Sequence, residues 1–188
     1  RQRQMCIRDR SNRHIHLTEE DFFYLFGKDA KLIKKNDISQ PGQYASYSVV
    51  TIKTEKNKID NVRVIGPCRN YTQVEISKTD SYLLGINPPY RNSGDLSNSE
   101  TVTIVGPNGS LKKENCCIMS TRHIHVEEDN DNFENNEVVK IKITGEKAGI
   151  MENVYIKKAP NSKYELHLDT DDANAFNLKN NDIVEILK

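Results

Sequence analysis

The sequence predicts a mainly β protein of two small β-barrel domains, capped by short helices and related by an internal His-x-His repeat. Residues 13–17, Arg-His-Ile-His-Leu, return as residues 122–126, Arg-His-Ile-His-Val, at an offset of 109. That offset is too long for a solenoid period and suits two related halves. Short runs of alternating apolar and polar residues, separated by Gly, Pro and Asn, favour barrels over a doubly wound parallel sheet.

The strands follow from alternation, because successive side chains of a strand point to opposite faces. Two of the alternating runs end in a Gly-Pro turn signal, at residues 66–67 and 106–107. The predicted strands cover Tyr47 to Lys53, Asn61 to Ile65, Thr101 to Val105, Val138 to Ile143, Val154 to Lys157 and Ile183 to Leu187.

Three short helices are predicted from start and stop signals. Residues 18–21, Thr-Glu-Glu-Asp, resemble a capping box, and an apolar face over residues 22–26 follows until Gly27. A second helix is predicted over residues 77–84. A third begins near Thr170, with acidic residues in its first turn.

Composition excludes several functional classes. The 188 residues hold 27 basic and 27 acidic side chains, so the formal net charge is zero. Counterion release, which holds proteins to nucleic acid, needs a basic surplus. No apolar run approaches the roughly 18 residues of a membrane span. The four cysteines form no paired framework, which favours a reducing compartment.

The first ten residues are predicted to be foreign to the protein. They lack the apolar stretch and cleavage site of a signal peptide. Residues 5–9, Met-Cys-Ile-Arg-Asp, match the translation of a transposon end used in library sequencing, ATG TGT ATA AGA GAC. The hypothesis is that an adapter-derived stretch replaces the natural start; an ordinary basic arm is the alternative.

The histidines carry the chemical signal. In a strand, residues i and i+2 share a face, so His14 with His16 and His123 with His125 each place two imidazoles side by side. His167 lies in another alternating segment. Two copies in equivalent contexts predict metal binding, since imidazole is a common zinc ligand. The alternative is ordinary core or surface histidines.

A cupin-like metal-binding protein is a competing interpretation. Glu20 and Gly27 follow His14 and His16 at the spacing of the first cupin metal motif. However, Glu20 lies within a strong helix-start signal, and the second His-x-His copy lacks the matching glycine.

Several motifs together resemble the PduL-type phosphate propanoyltransferases, also called phosphotransacylases. The resemblance runs in order from Ser11 to the C-terminus. The motifs are SNRHIHL (residues 11–17), SQPGQY (39–44), NVRVIGP (61–67), TQVEIS (72–77), GINPP (85–89), RNSGDL (91–96), the second RHIH (122–125) and LHLDTDDANA (166–175).

The resemblance implies an acyltransferase that exchanges phosphate and coenzyme A on a short acyl group, propanoyl or acetyl, at a two-zinc site. It assigns one zinc to His14, His16 and Glu75, and the other to His123, His125 and His167. Without the resemblance, Glu75 would be taken for a solvated strand residue. A cupin-like protein without acyltransferase activity stays as the alternative function.

The same resemblance implies the substrate contacts. Arg69 matches the phosphate-binding arginine and is the predicted catalytic residue, because its planar fork suits a tetrahedral oxyanion. Cys68, Cys116 and Cys117 are predicted to be neither nucleophile nor ligand. The residues predicted to bind coenzyme A are Ser11, Asn12, Lys56, Arg63 and Asn174.

The predicted domains are a foreign stretch at 1–10, a first barrel at 11–120, and a second barrel at 121–188 that a strand near 3–12 completes. The segment 127–136 is short, acidic and Asn-rich, so a turn is expected where the family has a capping helix. The resemblance also implies propanediol degradation and a homo-oligomer. The expected location is the cytoplasm or the lumen of a bacterial microcompartment, in association with its shell.

Overall fold

Strands dominate the fold, as predicted, and three short helices cap them. The computed structural model describes the backbone of residues 3–187 and the side chains of residues 12–187. The strands are β1 (Arg3–Ser11), β2 (His14–His16), β3 (Lys34–Asp37), β4 (Tyr44–Lys53), β5 (Lys58–Gly66), β6 (Gln73–Glu75), β7 (Tyr90–Arg91), β8 (Glu100–Val105), β9 (Ser110–Ser120), β10 (His123–Glu127), β11 (Val138–Ile143), β12 (Gly149–Ala159), β13 (Glu165–Asp169) and β14 (Ile183–Leu187). The helices are α1 (Glu19–Phe26), α2 (Lys78–Leu84) and α3 (Thr170–Ala175).

The chain divides into two compact units. The His14 unit comprises residues 13–38 and 42–120, and the His123 unit comprises residues 3–12, 39–41 and 121–187. The short segment 39–41 therefore belongs to the His123 unit, although the residues before and after it belong to the His14 unit.

The His123 unit is a closed six-stranded barrel in the order β1-β13-β10-β12-β11-β14. β10 runs parallel to β12 and antiparallel to β13, while β1 runs parallel to β13. The remaining three pairings, which all involve β11 or β14, are antiparallel. Closure leaves this barrel without an edge that another chain could extend.

The His14 unit contains an equivalent ring. Its sheet runs β3-β4-β5-β2-β6-β9-β7, and β8 pairs with both β4 and β9. Six strands therefore close as β4-β5-β2-β6-β9-β8. The two parallel pairs are β2 with β5 and β6 with β9; the other four pairings are antiparallel. If each ring is followed from its His-x-His strand, the parallel and antiparallel strand pairs occur in the same order.

Each unit has its own apolar core, as the strand alternation requires. The buried members of β11 are every second residue, Val139, Ile141 and Ile143. The His123 unit packs Ile124, Val126, Phe133, Val139, Ile141, Ile143, Met151, Val154, Ile156, Leu166, Leu168, Ala173, Leu178, Val184 and Ile186. The His14 unit packs Ile15, Leu17, Phe22, Leu25, Val50, Ile52, Ile59, Val62, Val64, Val74, Ile76, Leu84, Val102, Ile104, Cys116, Cys117 and Met119.

The helices begin and end near the residues that the sequence predicted. The Ser77 hydroxyl and the Asp80 carboxylate form the capping box of α2, and Gly85 ends this helix with φ of +67°. Only half of a capping box forms at α1. Thr18 accepts from the Asp21 amide, whereas the Asp21 carboxylate binds Thr72 and Lys113 instead.

The six predicted strands are all present, most of them longer than predicted. The exposed strand Lys34–Asp37 was not predicted, because all of its side chains are polar. Between β10 and β11 the chain forms turns and no helix, in agreement with the prediction for residues 127–136. Within residues 3–187, no helix has the length and apolar character to cross a bilayer.

Candidate metal centres

The first candidate centre lies in the His14 unit, where β2 and β6 run side by side. The ladder places His14 directly opposite Glu75 and His16 opposite Gln73. His16 and Glu75 are buried, and His14 is half-buried. The His14 Nε2 atom lies 3.4 Å from Glu75 Oε2. One ligand atom from each of these three residues lies within 4.8 Å of the other two.

The second candidate centre lies in the His123 unit, at the equivalent ladder position. β10 and β13 place His123 opposite His167 and His125 opposite Glu165. The Nε2 atoms of His123 and His125 lie 3.2 Å apart. The ring centroids of the three histidines are between 4.5 and 5.2 Å from one another. Thus His167 takes the place that Glu75 takes in the other unit.

Burial disfavours the protonated forms of two imidazoles of the second centre, His125 and His167. Burial, followed by the charges of His123 and Lys157, lowers the pKa of His125 to about 3. Burial is also the main cause that lowers the pKa of His167 well below its usual value. The Nδ1 atom of His123 lies 2.8 Å from the Thr121 carbonyl oxygen, to which it donates. When His123 is neutral, its lone pair is therefore on Nε2, which faces the other histidines.

This donor set suits a divalent metal ion. The Gln40 Nε2 amide lies 2.8 Å from His125 Nε2 and donates to it, so this nitrogen is unprotonated, and a metal ion bound there would take the place of the amide. The Nε2 atoms of His123 and His125 are 3.2 Å apart, close enough for one cation to bind both when both are unprotonated. Glu165 adds a buried carboxylate whose Oε2 lies 3.7 Å from His167 Nε2. Sets of three His, or two His and one Glu, are typical of catalytic zinc, which keeps one position open for substrate.

Arg69 lies in the His14 unit and is held from several sides. Its main-chain amide donates to the Leu17 carbonyl, one residue beyond β2. Its guanidinium donates to the Tyr71 hydroxyl at 2.7 Å, to the Ser93 hydroxyl at 3.1 Å and to Gln43 Oε1 at 3.2 Å. All of these partners are neutral, so the side chain keeps its full positive charge for an anion.

A polar chain connects Arg69 to the first centre. The Gln73 amide donates to Glu75 Oε1 at 2.6 Å and to the Ser93 hydroxyl at 2.9 Å, and Ser93 also accepts from Arg69. The Gly94 amide fixes the other end of Gln73 by donating to its Oε1 at 2.7 Å. Glu75 and the Arg69 guanidinium are therefore positioned by shared contacts.

A family model described as phosphate propanoyltransferase matches residues 8–179. The chain is 47% identical over 168 residues to the phosphate propanoyltransferase of Priestia megaterium (strain DSM 319 / IMG 1521), covering 88% of this chain and 77% of that protein. It is 44% identical over 181 residues to that of Rhodopseudomonas palustris (strain BisB18), covering 95% and 80%. The protein of the same name from Thermotoga maritima is 43% identical over 182 residues, covering 95% and 87%.

The chain belongs to the phosphate propanoyltransferase family. It is therefore an acyltransferase, and the resemblance noted from its motifs is confirmed. The cupin interpretation is wrong: Glu20 is an exposed residue of α1, and Glu75 instead lies opposite His14.

The residues predicted to bind coenzyme A are distributed over both units. In the His14 unit, Arg63 is the ladder partner of His14, and its guanidinium donates to the Ser46 and Tyr47 carbonyls. Lys56 is exposed in the loop between β4 and β5. In the His123 unit, Ser11 is the ladder partner of Asp169, the N-cap of α3; Asn12 is exposed, as is Asn174 near the end of that helix. The side chain of Ser11 lies outside the described residues.

Three cysteines have the chemistry of structural residues. The thiols of Cys68, Cys116 and Cys117 are free. Burial is the main cause that raises the pKa of all three, that of Cys116 to about 12. A buried thiol with a raised pKa is a poor nucleophile and a poor metal ligand.

Sequence reasoning assigned no role to Gln73, Ser93, Gln40 or Glu165. A signal existed for Gln73 and Glu165, since each lies two residues before a predicted ligand, Glu75 or His167, and so shares its strand face. No such local signal exists for Ser93 or Gln40, because long-range folding brings them to the centres.

Proposed function

We propose that this protein transfers a short acyl group, propanoyl or acetyl, between coenzyme A and inorganic phosphate, with two zinc ions held by the two ligand sets. The observation that carries the proposal is the pairing of the His14, His16 and Glu75 set with a guanidinium, that of Arg69, through shared polar contacts. Family membership supplies the reaction class.

The reaction balances without a further reactant. A phosphate oxygen attacks the carbonyl carbon of the acyl thioester, so a C–O bond forms while the C–S bond breaks. Coenzyme A leaves as its thiolate, which takes up the proton released from hydrogen phosphate, and the product is an acyl phosphate. No covalent acyl-enzyme is needed, in keeping with the buried thiols of Cys116 and Cys117.

Arg69 is proposed to bind and orient phosphate. Inorganic phosphate is a poor nucleophile toward a thioester unless its charge is balanced and its oxygen is aimed. The planar guanidinium offers two parallel N–H donors to a tetrahedral oxyanion. Tyr71, Ser93 and Gln43 hold that side chain before substrate arrives, which reduces the ordering needed at reaction.

The histidines and Glu75 are proposed to hold the metal ions. When bound, zinc supplies a Lewis acid that polarises an oxygen ligand and stabilises a developing thiolate. The protein keeps the imidazoles in a form that can bind metal. Burial favours the neutral form of His125 and His167, and the hydrogen bond to the Thr121 carbonyl orients the ring of His123.

Coenzyme A is proposed to use Lys56 and Arg63 for its phosphates, Asn174 for the polar edge of its adenine, and backbone contacts from Ser11 and Asn12. The exposed ammonium of Lys56 can follow a mobile anionic ligand. Arg63 is anchored to two carbonyls of β4, so it offers a fixed charge beside the ladder position of His14.

Two further proposals come from the resemblance. The protein is located in the cytoplasm or in the lumen of a microcompartment, and it assembles as a homo-oligomer.

The function is tested by thiol release from a panel of acyl-CoA esters with and without phosphate. Phosphate-dependent release, greatest with short acyl groups, is expected. Arg69→Ala should lower kcat/KM for phosphate by roughly 30- to 1,000-fold, or about 2–4 kcal/mol, while metal content is unchanged. Arg69→Lys should recover only part of the loss, because an ammonium lacks the bidentate fork.

The matched control is Lys34→Ala, which removes a positive charge from an exposed strand of the same unit. It should leave both kinetic constants unchanged. Release that does not depend on phosphate contradicts the proposed reaction. Normal phosphate kinetics in a fully metallated Arg69→Ala protein contradicts the role of Arg69.

A further inference from the structure

Both units contain an Arg–Asp ion pair next to the metal ligands. In the His123 unit, Arg122 donates to Asp172 through two parallel bonds, Nε to Oδ2 at 2.9 Å and Nη2 to Oδ1 at 2.8 Å. In the His14 unit, Arg13 Nε lies 3.4 Å from Asp80 Oδ2. Each arginine directly precedes the first histidine of its His-x-His strand.

The aspartates are equivalent as well. Asp172 follows His167 by five residues and Asp80 follows Glu75 by five residues. Both lie in the first turn of the helix that starts after the strand carrying the third ligand. Each ion pair therefore joins the start of the His-x-His strand to the end of its ligand-bearing neighbour, where the ladder places His123 opposite His167 and His14 opposite Glu75.

Further hydrogen bonds hold the residues of each ion pair in place. The Asp172 amide donates to the side chain of Asp169, the N-cap of α3, at 2.7 Å. Arg122 also donates through Nη1 to the Glu152 carbonyl of β12, the other neighbour of β10. In the His14 unit, the buried Asp80 carboxylate accepts from the Ser77 amide and so completes the capping box of α2.

We propose that Arg122 with Asp172, and Arg13 with Asp80, are positioning residues for the two metal-ligand sets. Each pair fixes the spacing between the His-x-His strand and the strand carrying the third ligand. An ordinary surface ion pair contributes about 0–1 kcal/mol and needs no particular place. These two pairs recur at the same topological position in rings with the same strand order. The inference rests on metal binding by the proposed function.

The test is metal affinity of the metal-stripped full chain, measured with Co²⁺ in competition with a chromophoric chelator. The absorption bands of bound Co²⁺ report its ligand geometry. Asp172→Asn should weaken one of two sites by about 10- to 100-fold and alter its spectrum, leaving the other unchanged. Asp80→Asn should do the same to the other site. The same measurements on variants in which His14 and His16, or His123 and His125, are replaced by Ala assign each Co²⁺ absorption band to one ligand set.

The conservative arginine variants distinguish the two units. Arg122→Lys should weaken its site nearly as much as Asp172→Asn, because lysine cannot form the two parallel bonds. Arg13→Lys should stay within about threefold of the native affinity, because an ammonium can replace the 3.4 Å approach of Arg13 Nε to Asp80 Oδ2. The control is Lys140→Ala, which breaks an exposed ion pair with Glu152 in the His123 unit.

The outcomes separate the two proposals. If the native chain binds no Co²⁺, the metal part of the proposed function fails. If it binds two ions but both Asp→Asn variants keep native affinity and spectra, the positioning role is overturned. Unchanged affinity with a lower melting temperature of the metal-free variant also overturns it, since that result indicates an ordinary structural ion pair.

Discussion

At the scale of single residues, the two centres differ in charge. Glu75 gives the His14 set a negative ligand, whereas His167 gives the His123 set a neutral one at the equivalent ladder position. The nearest carboxylate in the second unit, Glu165, lies opposite His125, where Gln73 lies opposite His16 in the first. The repeat thus keeps the geometry of the ligands while changing their electrostatics.

Glu75→Gln should weaken metal binding at the His14 set alone. The amide oxygen can still accept from Gln73, so the local packing is kept while the charge is lost. Loss of an anionic ligand is expected to lower affinity at least tenfold, or about 1.4 kcal/mol. Metal analysis after dialysis should give about one ion per chain. The control Glu114→Gln, which removes an exposed carboxylate from β9 of the same unit, should keep two ions; equal loss at both sets in Glu75→Gln would contradict the assignment.

Cys116 and Cys117 should resist alkylation in the native protein. Only the thiolate reacts, and burial raises the pKa of Cys116 to about 12, so this group stays protonated at pH 8. Peptide mapping after iodoacetamide treatment should find both residues unmodified until denaturant is added. Rapid labelling of either residue in the folded, active protein would overturn the conclusion that these thiols are structural.

At the scale of elements, the hairpin between β8 and β9 packs against the end of α1. The Asn108 amide donates to the Leu25 carbonyl at 2.9 Å, which satisfies one of the free carbonyls of the last helical turn. Gly106 lies so close to that turn that an added Cβ would meet Leu25 O at 2.4 Å. Glycine is required here by this close approach of two backbones.

Gly106→Ala should therefore destabilise the His14 unit. Backbone atoms of α1 would have to shift to admit the methyl group, at a cost of about 1–3 kcal/mol. Urea unfolding monitored by circular dichroism should show a lower midpoint with the slope unchanged. The exposed Lys112→Ala, on the adjacent strand β9, is the control and should lie within about 0.5 kcal/mol of the native protein. A native midpoint in Gly106→Ala would contradict the close packing.

Local signals predicted most elements but not the partners of the ligands. Caps at Thr18 and Ser77 and strict alternation over 138–143 are properties of neighbouring residues, so sequence alone located α1, α2 and β11. The choice of Glu75 over Glu20 depends on the ladder between β2 and β6, some sixty residues apart in sequence, and only the resemblance supplied it. Strand β3 was missed because its exposed polar residues carry no alternation.

At the scale of the whole molecule, the two rings are circular permutations of one plan. In the His14 unit the strand parallel to the third-ligand strand is β9, the last in chain order. In the His123 unit that place is taken by β1, at the start of the described chain. Residues 3–187 therefore pass from the His123 unit into the His14 unit and back again. Each unit nevertheless keeps its own core and its own candidate ligand set.

Separate ligand sets predict that zinc stabilises each unit independently. In the double variant His123→Ala/His125→Ala, zinc can bind only to His14, His16 and Glu75. At 100-fold excess over Kd this adds about 2.7 kcal/mol to the unit that binds it, so exchange of its most protected amides should slow about 100-fold. Hydrogen exchange followed by mass spectrometry should show the change in peptides from 13–38 and 42–120 and none in 121–187. The reciprocal variant, His14→Ala/His16→Ala, should reverse the pattern. Equal slowing of both units in either variant would mean that they unfold together, and would overturn the prediction.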